Sequence, residues 1–425
     1  MYEMREAKHE EVDTRGPENI RIVQKASFQQ PKSKYVKIIY ESLKDTGISC
    51  KFIFASGEIL CLGQCEPELT VTFHSDSMLK KGFDEYSLGQ AYISGEIEIE
   101  GSMPKLFEIR KYMKGEITFF FMLKMWLSLL FCNPININRD SIAQHYSFGD
   151  DFYLTFVDCK YHLYSHCLFQ SDSESLEEAA DHKMKTMAKC LKLKSGMRLL
   201  DIGAGWGAVT RFAGPRDIHV IALTIHEDSY KLHRDLIAKN NLPNCEIHLE
   251  DFLEHNPEEP YDAIVIFGVI EHIPQYRRFT ERVWNCLKPG GRIYLDASSV
   301  LEKYNVSNFV RKYIYPGTHT YLCLQELIME FLMHGFKVLE VVDETYEYEL
   351  TLRHWAQRLE ANQGIITRRW GEKVFRSFHL YLWGGFHAMR RRDLQAYHIV
   401  AERTEDPGIR PGLFKRTRYF IRSLT

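Results

Sequence analysis

The stretch Arg198-Leu199-Leu200-Asp201-Ile202-Gly203-Ala204-Gly205-Trp206-Gly207 decides the fold. An apolar strand runs into three alternating glycines. Glycine lets a backbone turn sharply and approach a ligand closely. Dinucleotide-binding folds share a bare Gly-x-Gly loop, and a plain tight turn is the structural alternative. Here, though, the spacing is Gly-x-Gly-x-Gly, not Gly-x-Gly-x-x-Gly. Asp201 ahead of the loop suits a ligand with a cationic amine better than a pyrophosphate. Both features fit S-adenosylmethionine, with Asp201, Gly203 and Gly205 as cofactor residues.

Outward from this loop the chain keeps an α/β rhythm. Apolar strands are expected at 219–223, 246–249, 263–267 and 292–295, the last after the turn Lys288-Pro289-Gly290-Gly291. Helical segments between strands imply right-handed crossovers and a mostly parallel sheet. Ligands in such folds lie at the carboxyl ends of the strands. Thr224 then falls where ribose contacts are made. Asp251 and Phe252 fall where an adenine can stack on the ring and donate its amino group to the carboxylate. Glu271-His272 would face the reacting group, although His272 serves equally well as a structural histidine.

The chain has 425 residues, with 54 Lys and Arg against 57 Asp and Glu, a formal net charge of −3. That balance argues against nucleic-acid binding through bulk positive charge. Ten Cys without a Cys-x-x-Cys pair rule out a disulfide framework and point to a reducing compartment. Cys50, Cys61 and Cys65 read as core thiols rather than a metal site, and no metal site is expected. Residues 1–30, dense in charge and without an apolar h-region, read as a loosely attached segment rather than a signal peptide. A small α+β domain is expected over 31–112, with alternating strands at 69–73 and 95–101. Residues 113–140 read as an apolar linker helix. Its apolar run Phe119–Cys132, at 14 residues, is too short to span a bilayer. It is expected to be buried between domains or in a dimer, or to meet a lipid surface. The larger α/β domain spans 141–403. A tail over 404–425 carries Arg410, Lys415, Arg416, Arg418 and Arg422, suited to a solvated role or to anionic lipid.

Several motifs in order resemble those of cyclopropane-fatty-acyl-phospholipid synthases. His145-Tyr146-Ser147-Phe148-Gly149-Asp150-Asp151-Phe152-Tyr153 is similar to their His-Tyr-Asp-x-Gly-Asn-Asp-Phe-Tyr. Tyr164-Ser165-His166-Cys167-Leu168-Phe169 resembles Tyr-Ser-Cys-x-Tyr-Phe/Trp. Leu200 to Gly207 resembles Leu-Asp-Ile-Gly-Cys-Gly-Trp-Gly, and Val269-Ile270-Glu271-His272 resembles Met-Phe-Glu-His. Phe309 to Pro316, Tyr348-Glu349-Leu350-Thr351-Leu352 and Arg392-Asp393-Leu394-Gln395 resemble later motifs of the same proteins. Leu88 to Gly95 resembles a motif of their two-domain members.

The resemblance implies a class I methyltransferase domain with a Rossmann-like, mostly parallel seven-stranded sheet, preceded by a small α+β domain. It implies methyl transfer from S-adenosylmethionine to a carbon–carbon double bond of an unsaturated acyl chain, on a phospholipid or a carrier. It adds Tyr164 and Ser165 to the cofactor site. It also implies a bound bicarbonate that takes the proton from the new methyl, closing a cyclopropane. Glu271 and Tyr348 match two of the bicarbonate ligands. His166 stands where the family has Cys, and Asp296 where it has His. A carboxylate repels an anion, so these changes count against bicarbonate and suggest Asp296, oriented by His166 or Tyr348, as the base. The expected catalytic set is therefore Glu271, Tyr348, Asp296 and His166. The changes also keep open N-methylation of a small amine, or, in another class, non-catalytic lipid or cofactor binding. A cytoplasmic protein touching membrane at its surface, without nucleic-acid partners and as a homodimer, completes the expectation.

Overall fold

In the computed structural model, residues 33–63, 65–75, 85–109, 112, 148–303, 306–315 and 319–406 are described. The expected loose N-terminus, the apolar run Phe119–Cys132, the boundaries near Pro134 and at 141, and the basic residues 410–422 lie outside them.

The first unit runs α1 (Lys34–Leu43), β1 (Cys50–Ile53), β2 (Ile59–Leu62), β3 (Leu69–Phe73), α2 (Glu85–Ser94), β4 (Ile97–Gly101) and α3 (Met103–Ile109). Its sheet has the order β2-β1-β3-β4. Period-two alternation is why β3 forms: Leu69, Val71 and Phe73 are buried and the threonines between them are not. Cys50 is buried as expected, but Cys61 and Cys65 are exposed and are not core thiols. Alternation along β2 turns Cys61 outward while Leu60 and Leu62 point in.

The second unit begins, among the described residues, with the short α4 (Asp150–Tyr153) and α5 (Leu176–Cys190). It continues through β5 (Arg198–Ile202), α6 (Ala208–Ala213), β6 (His219–Thr224), α7 (Glu227–Lys239), β7 (Cys245–Leu249), β8 (Tyr261–Phe267), α8 (Tyr276–Cys286) and β9 (Leu287–Ser299). It ends with α9 (Asn308–Tyr313), α10 (Leu324–Met333), β10 (Phe336–Asp343), α11 (Thr345–Ala361), α12 (Gln363–Trp370), α13 (Glu372–Arg390) and β11 (Gln395–Arg403). All five strands expected between 198 and 295 are present. The seven-stranded sheet has the order β10-β11-β9-β8-β5-β6-β7. β5 to β9 pair in parallel, and β11 is antiparallel to both β9 and β10.

Strands of a parallel sheet are apolar throughout because both faces are covered. Leu199, Val220, Val265 and Tyr294 face one layer of helices, and Leu200, Ile202, Ile264 and Ile293 face the other. α5 covers the first face. Its start is set by a capping box in which the Ser175 hydroxyl accepts from Glu178 N and the Glu178 carboxylate accepts from Ser175 N. The two sheets meet through α13. Tyr92 Oη lies 2.9 Å from His379 Nδ1, and the Arg376 guanidinium donates to the carbonyls of Tyr92 (2.9 Å) and Ile97 (3.2 Å). Among the described residues no helix is long and apolar enough to cross a membrane.

Candidate active site

The loop after β5 is held open by its glycines. Gly203 has φ +73°, and a Cβ there would meet Val269 Cγ2 at 2.4 Å, so no other residue fits. Gly205 has φ +50°, and among the described residues, its chain neighbours aside, the only heavy atom within 4 Å of its Cβ position is Gly203 O at 3.9 Å. That empty space belongs to a cleft of about 910 Å³, part of it open to solvent. Asp201 forms one wall. It is 2% exposed, and its Oδ2 has no hydrogen-bond partner. Burial raises its carboxyl to about 7. An orphaned buried carboxylate oxygen beside a glycine floor is an unfavourable feature unless a cationic group completes it. The amine of S-adenosylmethionine is a group of that kind.

The cleft is also lined by aromatic rings. Tyr315 stacks on His319 with centroids 4.3 Å apart and meets Tyr381 edge-on at 6.2 Å. Trp355 stacks on Tyr164 at 5.3 Å and takes the Tyr348 ring edge-on at 6.4 Å. Tyr321 and Phe267 complete these walls. Glu271, in the turn after β8, stands among them. Its Oε1 accepts from the Ser298 amide and hydroxyl, both at 3.0 Å, while its Oε2 has no partner. Burial, with the nearby Asp296 charge, raises the Glu271 carboxyl to about 7. Burial also lowers His272 to about 4, so its ring is neutral at pH 7.

Two of the expected catalytic residues lie elsewhere. Asp296 and His166 are fully buried and do not line the cleft. Asp296 Oδ2 is 2.6 Å from Lys183 Nζ, and its Oδ1 accepts from Ser165 Oγ and Gly268 N, both at 2.9 Å. His166 Nε2 is 2.5 Å from Glu344 Oε2, and Lys183 Nζ lies 3.6 Å from the same oxygen. Lys183 Nζ also lies 3.0 Å from His166 Nε2. Against the burial that pushes it up, Lys183 and the two histidines bonded to it hold the Glu344 carboxyl well below its usual range. The reason for the correction is Lys183: it draws Asp296 into an ion pair beneath the cleft, so both its oxygens are engaged. Tyr348, by contrast, lines the cleft, and its ring is tilted against His166 with centroids 4.9 Å apart.

The cofactor set also divides. Tyr164 lines the cleft with Asp201, Gly203 and Gly205; Ser165 points to Asp296 instead. Thr224, Asp251 and Phe252 do not line it. Thr224 Oγ1 accepts from His226 N at 3.2 Å, and Asp251 Oδ1 from Leu253 N at 2.8 Å. Phe252 is 3% exposed and makes a T-shaped contact with Phe279, so its ring lies in the core.

The sequence reading missed Lys183, Glu344, Ser298, His319 and Tyr321. Only Lys183 left a signal: it interrupts the apolar helical stripe Leu176, Ala179, Ala180, Met184, Met187. A lysine on such a face is buried only with a partner.

The fold and cleft have relatives. The family model described as mycolic acid cyclopropane synthetase matches residues 135–399. The chain is 30% identical over 273 residues to the cyclopropane-fatty-acyl-phospholipid synthase of Escherichia coli strain K12, covering 63% of this chain and 69% of that one. It is 26% identical over 282 residues to the sphingolipid C9-methyltransferase of Komagataella phaffii, covering 62% of this chain and 58% of the relative. In fold it is similar to mycolic acid cyclopropane synthase CmaA1, solved with SAH and CTAB, at a TM-score of 0.58 and 24% identity over 62% of this chain and 98% of that one. The chain belongs to the mycolic acid cyclopropane synthetase family and is an S-adenosylmethionine-dependent methyltransferase of class I fold.

Proposed function

We propose that this enzyme methylates a carbon–carbon double bond of an unsaturated acyl chain, carried on a phospholipid or a carrier. The observation behind this reading is a combination in the cleft: aromatic rings around the buried carboxylate of Glu271, whose Oε2 has no hydrogen-bond partner among the described residues. An alkene is a neutral nucleophile, and methylating it leaves positive charge on carbon. Ring faces and a carboxylate stabilise that charge where water is excluded. S-adenosylmethionine supplies the electrophilic methyl when bound; Asp201, Gly203 and Gly205 would hold it, and Tyr164 would flank it.

Glu271, rather than Asp296, is the proton acceptor in this reading. Its Oε2 is unpartnered, while Ser298 fixes Oε1 and so aims the group. Bicarbonate does not fit. Two of the positions carried over from the resemblance, His166 and Asp296, are committed to the Lys183 cluster.

Mass spectrometry of lipids from cells expressing the protein tests the proposal. Acyl chains heavier by one CH2 than their unsaturated precursors are expected. Unaltered acyl chains together with a methylated small amine would replace this reading with the N-methyltransferase one. Strong stimulation by bicarbonate in carbonate-depleted buffer would overturn the assignment of Glu271.

A further inference from the structure

We propose that Cys190, Glu340 and His398 form a binding site for a zinc-like divalent cation. The site joins the C-terminal end of α5 to the β10–β11 pair. None of the three residues lines the cleft, so the inference does not depend on the substrate reading.

The backbone brings the three together. In the β10–β11 register Val342 lies opposite His398, and Glu340 opposite Val400. Glu340 is therefore diagonal to His398 on one face of the sheet. It reaches that face only because the register shifts between Val338 and Glu340, leaving Leu339 as an extra residue. Without the bulge Glu340 would point to the other face. α5 lies over this face, presenting Lys183, Met187 and Cys190 at successive helical turns. Cys190 Sγ is 2.9 Å from Glu340 Oε1, and His398 Nε2 is 3.3 Å from the same oxygen. The three ligand atoms all lie within 4.8 Å of one another. Zinc bonds of about 2.3 Å to sulfur and about 2.0 Å to nitrogen or oxygen place tetrahedral neighbours a little over 3 Å apart, so small shifts suffice.

The histidine supplies the second observation. His398 is 4% exposed, and its ring is stacked on Tyr294 at 4.8 Å. Its Nδ1 is 2.6 Å from Glu344 Oε1 and donates to it. Its Nε2 faces Glu340 Oε1 at 3.3 Å. A carboxylate behind a histidine is how metal-ligating imidazoles are oriented. Thiolate, imidazole and one carboxylate select a zinc-like ion over magnesium or calcium. A water fills the fourth position. Arg292 is a nearby cation, but its guanidinium is 2.9 Å from Glu402 and donates to the Cys190 carbonyl. Without an ion the Cys190 thiol donates to Glu340, and burial together with that bond pushes it up to about 12. Binding releases that proton to solvent as the sulfur–metal bond forms.

The test uses the full chain, stripped with a chelator and titrated with Co2+ and then Zn2+. One equivalent of Co2+ is expected to give a thiolate-to-cobalt charge-transfer absorption that Zn2+ abolishes. Cys190→Ala should lose the absorption although nine other cysteines remain. Glu340→Gln, at an exposed position, should weaken binding at least tenfold while leaving the fold intact. Zn2+ should also protect Cys190 of the unmutated protein from alkylation, read by peptide mass spectrometry. Absence of the band, its survival in a folded Cys190→Ala protein, or alkylation of Cys190 unaffected by Zn2+ would overturn the site.

Discussion

Lys183 Nζ lies 2.6 Å from Asp296 Oδ2, and both side chains are completely buried. Lys183 is also within 3.6 Å of Glu344 Oε2, so one cation answers two carboxylates. Burial alone would pull the Lys183 ammonium down, but the charges of Asp296 and Glu344 hold it above its ordinary range. Removing the cation strands both anions. Lys183→Met is expected to cost about 3–5 kcal/mol in urea unfolding. Adding Asp296→Asn should recover at least about 1 kcal/mol, because the two sites share one interaction. Simple additivity of the two substitutions would show that the pair does not act as a unit.

Glu271 and Asp296 can be told apart by their pH profiles. With Glu271 raised to about 7, the rate should climb as pH rises through about 7, since only the ionised form accepts a proton. Glu271→Gln should lower turnover about 10²–10⁴-fold and flatten that climb, with cofactor binding unchanged. Asp296→Asn should keep the climb. A pH profile altered only in Asp296→Asn would reverse the assignment.

Asp201 links cofactor binding to protons. Its carboxyl is raised from 3.8 to about 7 in the folded protein, so the folded state holds a proton that the unfolded chain has released. Its contribution to stability therefore falls as pH rises from about 4 to about 7. Asp201→Asn should remove that slope from the unfolding free energy. A cationic amine favours the ionised form, so binding of S-adenosylhomocysteine near pH 6 should release a proton. Calorimetry in buffers of different ionisation enthalpy measures that release, and Asp201→Asn should abolish it.

The two loop glycines should fail differently. Gly203→Ala combines a left-handed backbone with a 2.4 Å overlap on Val269. It should cost about 1–2 kcal/mol for the backbone and about 1–3 kcal/mol for the overlap. Gly205→Ala has room for its methyl in the free protein and should lose only the backbone term, about 1–2 kcal/mol. Its methyl enters the cleft, so calorimetry should find cofactor binding weakened in a folded protein. Unchanged affinity in Gly205→Ala would remove the loop from the cofactor site.

The parallel sheet could be read from the chain because its signals are local. Five apolar strands, each a few residues long and punctuated by turns, specify a doubly covered sheet, and Gly203 to Gly207 mark where its first strand opens onto a ligand. Glu271 could be reached in the same way, since a residue just past a strand end inherits its position from the topology. Asp296 could not. It too ends a strand, but its chemistry depends on Lys183, 113 residues earlier, and sequence distance carries no information about which helix covers which face. Phe252 follows a strand as expected, yet the packing of α8 decides that its ring is core. The Cys190, Glu340 and His398 cluster depends on a single extra residue at Leu339, which reverses the face that Glu340 occupies. Backbone periodicity is a property of neighbours along the chain. Charge pairing, burial and ligand geometry belong to neighbours in space, and only the folded packing of α5, β9, β10 and β11 brings those together.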